Sequence, residues 1–160
     1  MRFSVVAIGQ RMPDWVAQGW SEYAKRFPRG FELELKELPL GQRSRSGKHS
    51  VNPDQVRSSE SAALLAAVPA SNYLIAMDGQ GRQWSTLELA GQMQQWMQLG
   101  RDVSFLIGGP DGLDSSSLER ADACWSLGKL TLPHMLVRVI LAEQLYRAWS
   151  VTQNHPYHRE

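Results

Sequence analysis

Val103-Ser104-Phe105-Leu106-Ile107-Gly108-Gly109-Pro110-Asp111-Gly112-Leu113 joins an apolar run to a turn that holds three glycines. The run has the composition of a buried strand bounded by glycine and proline, which places the glycines at a strand's carboxyl end. Ligands bind there in open α/β sheets. Glycine admits positive backbone dihedrals and carries no Cβ, so a flat cofactor can lie directly against main-chain amides. Taken alone, Gly-Pro-Asp-Gly is also the sequence of an ordinary tight turn into a helix. What the rest of the chain sets beside it decides.

Working backward from that turn, Gly100 reads as the C-cap of a helix that opens at the capping box Ser85-Thr86-Leu87-Glu88 and buries Leu89, Met93 and Trp96. Before it, Tyr73-Leu74-Ile75-Ala76-Met77 reads as a strand ended by Asp78-Gly79-Gln80-Gly81. Working forward, residues 115–120 suit a short helix, and Ala123-Cys124-Trp125-Ser126-Leu127 a last short strand. The loop Gly128-Lys129-Leu130-Thr131-Leu132-Pro133-His134 then leads into a final helix, with Val137, Ile140, Leu141, Gln144, Leu145 and Ala148 on its inner side. Arg138, Glu143 and Arg147 fall beside or across from that stripe.

The first half repeats the alternation. Phe3 to Ile8 is a strand ended by Gly9, and a helix starts near Pro13 with Val16, Trp20, Tyr23 and Phe27 on one face until Pro28. Phe31, Leu33 and Leu35 alternate with charged residues, the period of a strand with one wet face. Asn52 and Pro53 open a helix with Val56, Ala63, Leu64 and Ala67 as its apolar side, closed by Pro69. Strands alternating with helices predict an α/β fold: one domain over residues 1–160, with a mainly parallel sheet and helices on both faces.

Two glycine motifs fail as phosphate sites. Gly41-Gln42-Arg43-Ser44-Arg45-Ser46-Gly47-Lys48-His49 has five residues between its glycines where a P-loop has four, and His49 stands where Ser or Thr would hold magnesium. Gly79-x-Gly81 has Trp84 in place of the third glycine of a dinucleotide fingerprint. The polar stretch 41–53 with Arg43, Arg45, Lys48 and His49 reads as a solvated loop whose charges suit RNA phosphates.

The chain has 160 residues, 42% hydrophobic and 21% charged, with a formal net charge of +1. That composition suits one globular core, and the charge argues against a general polyanion binder while allowing a local basic patch. The lone cysteine, Cys124, excludes an internal disulfide and lies in an apolar stretch as a packed thiol. A cytoplasmic location, no membrane partner and no signal peptide are expected. If neighbouring strands carry the loops after Met77, after Ile107 and from Leu127 to His134, their backbone groups converge on one crevice sized for a small cofactor.

These stretches carry a resemblance. The glycine turn Ile107-Gly108-Gly109-Pro110-Asp111-Gly112-Leu113, Trp125-Ser126-Leu127, Leu130-Thr131-Leu132-Pro133-His134, Leu136-Val137-Arg138-Val139, the run from Ala142 to Ser150 and the ending Asn154-His155-Pro156-Tyr157-His158-Arg159-Glu160 are involved. So are Met12-Pro13-Asp14-Trp15, Tyr23 and Arg26-Phe27-Pro28 near the start. Together they resemble the ribosomal RNA large subunit methyltransferase H family of SPOUT methyltransferases. The chain departs from it at Met135, at Asp111 and in the loop after Gly41.

The resemblance implies a homodimer with a C-terminal trefoil knot, the knot and cofactor site lying within about residues 73–160. It implies S-adenosylmethionine as cofactor, no metal, and contacts at Met77, Gly108, Leu127, Gly128, Lys129, Leu130, Thr131 and Leu132. The implied substrate is a pseudouridine of large-subunit (23S) ribosomal RNA in the assembled 70S ribosome, methylated at N3. An imide nitrogen is a poor nucleophile while protonated, so transfer needs the base held in line and its proton removed or its anion stabilised. His158 suits proton removal or base positioning, Arg147 and Arg159 charge stabilisation, and Tyr157 stacking or a hydrogen bond. On the residues alone, His155 and His158 read more plainly as groups that pack or cap the terminal segment. Three other readings stand beside this one: a methyltransferase acting on another RNA such as transfer RNA, a non-enzymatic RNA- or ribosome-binding module, and a nucleotide hydrolase. The failed phosphate motifs argue against the last.

Overall fold

Apolar runs flanked by glycines and prolines become five parallel strands in the computed structural model, which describes residues 1–41 and 51–159. The elements are β1 (Arg2–Ile8), α1 (Asp14–Ala24), β2 (Glu32–Leu38), α2 (Pro53–Ala66), β3 (Tyr73–Gln83), α3 (Thr86–Leu99), β4 (Val103–Ile107), α4 (Ser115–Arg120), β5 (Ala123–Ser126) and α5 (His134–Thr152). Strand order is β2-β1-β4-β3-β5. Arg43, Arg45, Lys48 and His49 of the basic loop lie outside the described residues.

Period-two alternation sorts the strand residues onto two faces. Phe3, Val5, Ala7, Ile75, Val103, Phe105 and Ile107 pack against Trp20 of α1, Met93 and Trp96 of α3, and Leu141 and Leu145 of α5. On the other face, Val6, Ile8, Leu74, Ala76 and Leu106 meet Leu64 of α2, and Leu118 of α4 packs against them. The sheet is therefore covered on both sides, which explains why its central strands are apolar throughout rather than alternating. Trp96 and Trp125 are core residues, as their positions predict.

Four local expectations need correction. β3 does not end at Met77: after a register shift between Met77 and Arg82 it pairs β5 again at Arg82 and Gln83. Gly81 is required there because a Cβ would lie 2.7 Å from the Cys124 carbonyl carbon, a strand-to-strand approach with no phosphate in it. α1 ends at Ala24, so Phe27 reaches the core from beyond the helix, its ring 6.0 Å from that of Phe3. On α2 the buried positions are Val56, Glu60, Ser61 and Leu64, while Ala63 is exposed. On α5 it is Arg138 that is fully buried, along with Leu141, Ala142, Leu145, Tyr146 and Ala148, whereas Val137, Ile140 and Gln144 are half-buried.

Candidate active site

The order β4-β3-β5 sets the ends of β4 and β5 on either side of the register break in β3, and that break and the loops leaving β4 and β5 enclose a cavity of about 390 Å³. That is within the about 300–1,000 Å³ of small-molecule sites. From β3 come Met77, Asp78, Gly79 and Gln80; from β4, Ile107, Gly108, Gly109 and Pro110; from β5, Trp125, Ser126 and residues 127–132; and His134 and Val137 of α5 close the wall.

Local chemistry sets each loop. In the glycine turn, Gly112 N–H donates to the Gly109 carbonyl at 2.9 Å, and Gly112 adopts φ +78°. A Cβ on Gly108 would meet the Gly112 carbonyl carbon at 2.6 Å, so the turn closes only with glycine there. Asp78 Oδ1 accepts from Gln80 N–H at 2.8 Å, a side-chain turn that shapes the excursion in β3. Ser126 Oγ donates to the Gly128 carbonyl at 2.9 Å and accepts from Gly128 N–H at 3.2 Å, with Gly128 at φ +146°. Leu130 beyond it is 82% exposed. Cys124, behind this wall, is a half-buried thiol whose pKa is raised by burial and by Asp78, so it stays protonated and unreactive.

The lining suits a cofactor with a planar base and an aliphatic arm. Met77, Ile107, Leu127, Leu132 and Val137 supply apolar walls, and among the described residues a Cβ built on Gly79, Gly112 or Gly128 would meet no atom within 4 Å beyond its chain neighbours, which leaves main-chain groups open to a ligand. Among the described residues no group of three or more His, Cys, Asp or Glu is placed to hold a metal ion. All eight residues expected at the cofactor site, Met77, Gly108, Leu127, Gly128, Lys129, Leu130, Thr131 and Leu132, line this one cavity.

The C-terminal segment builds a second cluster. Asn154 at φ +52° turns the chain back, and His155 N–H donates to the Ser150 carbonyl at 2.9 Å. Tyr157 OH then donates to Glu143 Oε1 at 2.9 Å, the same oxygen that accepts from Arg147 Nε at 2.9 Å. The Tyr157 ring meets Tyr146 edge-on at 4.8 Å, with the Arg147 and Arg26 guanidiniums 5.1 and 5.6 Å from its centre. Burial and the Glu143 carboxylate push the Tyr157 phenol well above its ordinary pKa, so it is a donor and not a base. Arg147's own hydrogen bond to Glu143 raises its pKa and keeps it firmly cationic.

Arg147 and Tyr157 are thus brought together around Glu143, which lies four residues before Arg147 on α5. His158 follows with its Nδ1 buried and without a hydrogen-bond partner among the described residues, and Arg159 is exposed. None of these four tail residues lines the cavity of their own chain. Trp149 packs within the chain, against Phe27, Phe31 and Tyr146.

Sequence reasoning missed the buried polar groups. Arg138 is fully buried, with Nη1 2.6 Å from Glu37 Oε2 and Nη2 donating to the carbonyls of Ile8 and Gly9 at 3.0 and 2.7 Å. Its position three and seven residues before Leu141 and Leu145 is the signal that could have placed it on the inner face. Glu60 is 2% exposed and accepts from Gly41 N–H at 2.8 Å. Its place four residues after Val56 and four before Leu64 puts it on the inner face of α2 by the same kind of signal.

Comparison with known proteins agrees with this architecture along the whole chain. A family model described as "Predicted SPOUT methyltransferase" matches residues 1–158. A ribosomal RNA large subunit methyltransferase H from Marinomonas sp. (strain MWYL1) is 52% identical over 159 residues, covering 99% of this chain and 100% of the relative. A solved structure of a methylase family protein from Neisseria gonorrhoeae superposes with a TM-score of 0.52 at 13% identity, over 99% of this chain and 86% of that one, a likeness of fold. With its site between the carboxyl ends of β4 and β5 at the register break of β3 and its family match spanning nearly every residue, the chain belongs to the SPOUT methyltransferases.

Proposed function

We propose that this protein transfers the methyl group of S-adenosylmethionine to N3 of a pseudouridine in large-subunit ribosomal RNA on the assembled ribosome, as a knotted homodimer. The observation that carries the reading is the convergence of all eight expected cofactor residues on one cavity, in a chain 52% identical end to end with a ribosomal RNA large subunit methyltransferase H. Bound there, adenosylmethionine supplies an electrophilic sulfonium methyl. Met77, Leu127 and Leu132 exclude water around it, and the main chain at Gly108 and residues 128–131 orients it.

The tail supplies what the cavity lacks. No histidine or arginine of the terminal segment lines the cavity of its own chain, so the reading gives that place to the tail of the second subunit. His158 accepts the N3 proton, while Arg147 and Arg159 stabilise the negative charge that spreads onto the uracil oxygens. Tyr157, kept protonated, holds Glu143 and so fixes the direction of Arg147. The basic stretch 41–53 would add phosphate contacts.

The test is transfer of labelled methyl to ribosomes from cells lacking the protein, beside free ribosomal RNA and transfer RNA, followed by nucleoside analysis. Label in N3-methylpseudouridine from assembled ribosomes alone is the expected result. Label in transfer RNA, or cofactor binding without transfer to any RNA, would overturn the substrate assignment, and failure to bind the cofactor would favour a non-enzymatic binding module.

A further inference from the structure

We propose that Arg138, with Glu37, is a positioning residue for cofactor binding: it fixes the first turn of α5 on the ends of β1 and β2 and thereby sets the wall formed by residues 127–132. This rests on the reading of the cavity as the adenosylmethionine site.

The wall has little to hold it in place. Ser126 and Gly128 secure its start, and among the described residues no hydrogen bond reaches Lys129, Leu130, Thr131 or Leu132. Its far end is therefore set by Pro133, whose carbonyl accepts from Val137 N–H at 3.1 Å, and by the start of α5. An unsupported segment of this length loses its geometry unless the helix behind it is fixed.

Arg138 does the fixing. Its guanidinium ties α5 to three points at once: the Glu37 carboxylate of β2, and the Ile8 and Gly9 carbonyls at the end of β1. Gly9 is also latched to β2, its N–H donating to the Leu38 carbonyl at 2.7 Å. The approach is tight: a Cβ on Gly9 would lie 3.0 Å from Met135 Cε and 3.5 Å from Arg138 Nη2. Ile8 in turn abuts the glycine turn, its Cγ2 3.1 Å from where a Gly109 Cβ would stand. The same contact thus references two walls of the cavity to the end of β1.

Stability alone is a poor reason for the arrangement. A buried ion pair is often matched or bettered by apolar side chains of similar volume, and Arg138 Nε has no hydrogen-bond partner among the described residues. A planar fork with fixed donors gives what an apolar contact lacks, one defined orientation of the helix against the strand ends.

The experiment compares parent, Arg138→Met and Arg138→Lys by calorimetric titration with adenosylmethionine, and by leucine-methyl resonances of the free proteins. We expect Arg138→Met to fold, to bind the cofactor about tenfold more weakly or worse, and to shift the Leu127, Leu130 and Leu132 methyls while those of Leu74 and Leu106 stay in place. Arg138→Lys should fall between. In turnover the loss should sit in the KM for the cofactor and not in kcat. A folded Arg138→Met with parental affinity and unmoved loop methyls would overturn the proposal. Should the parent itself fail to bind adenosylmethionine, the functional reading fails and the loop methyls alone decide the positioning role. Should Arg138→Met not fold, Glu37→Gln takes its place, and unmoved loop methyls there would count equally against the idea.

Discussion

Glu143 is the residue through which the tail is held, because one of its oxygens serves both Arg147 and Tyr157. Removing the Tyr157 hydroxyl takes one hydrogen bond from the Glu143 carboxylate, so Tyr157→Phe should cost about 1.5–3 kcal/mol in denaturant unfolding. The same phenol carries a pH signature. Its folded pKa lies above the unfolded value, so its contribution is complete below about pH 10 and is lost as pH rises through the folded value. Absorbance titration of the parent should show a tyrosine that ionises well above the ordinary phenol range, and Tyr157→Phe should lack that transition. His158 acts at a different level. Under the proposed role, His158→Ala should lower methyl transfer by about 10²–10⁴-fold with cofactor affinity unchanged. A loss of cofactor affinity instead would make it a binding group.

At the scale of elements, turns and caps are where single atoms decide. Gly108→Ala sets a Cβ 2.6 Å from main chain that cannot move aside, so the glycine turn must open. The expected outcome is a cost of about 1–3 kcal/mol and a loss of most cofactor affinity by calorimetry. Asp114 caps α4, accepting from Ser117 N–H at 3.0 Å and from the Ser116 hydroxyl at 2.7 Å. Partial burial opposes its charge, but the hydrogen bonds outweigh it and hold the carboxyl below its ordinary pKa. A depressed folded pKa means stability that is present above the unfolded value and lost as pH falls through the folded one. Asp114→Ala should therefore cost about 1 kcal/mol at neutral pH, and the gap to the parent should narrow below about pH 4. Every strand and helix was legible in the sequence because each carries its own period and its own punctuation: the Ser85 capping box, Pro53 after Asn52, and Gly100 at φ +63° are all present. The continuation of β3 was not, since Gly79 and Gly81 read as a turn, and only the partner strand reveals that Gly81 is there for close packing. Arg138 was missed for a related reason. A charged side chain reads as solvent-facing until its partners, Glu37 and the β1 carbonyls some hundred residues away in sequence, are seen beside it.

For the molecule as a whole, one strand order does most of the functional work. Placing β4, β3 and β5 next to one another turns three loops that are distant in sequence into one cavity, and the sequence could state that only as a condition on which strands are neighbours. The tail was legible as a dense set of hydrogen-bonding groups, but not its attachment, because Glu143 shows its second partner only when α5 and the terminal turn are packed together. The cavity and the tail cluster share no residue within one chain, and in the proposed homodimer they meet across two subunits. The most direct measurement is methyl transfer by a purified mixed dimer that pairs a Gly108→Ala chain with a His158→Ala chain, each inactive as a homodimer. The account predicts that such a dimer recovers about half the parental rate, since one of its two sites then combines an intact cavity with an intact tail. No recovery, with the mixed dimer folded and binding adenosylmethionine, would mean that cavity and tail serve the reaction from the same chain, and would contradict the account.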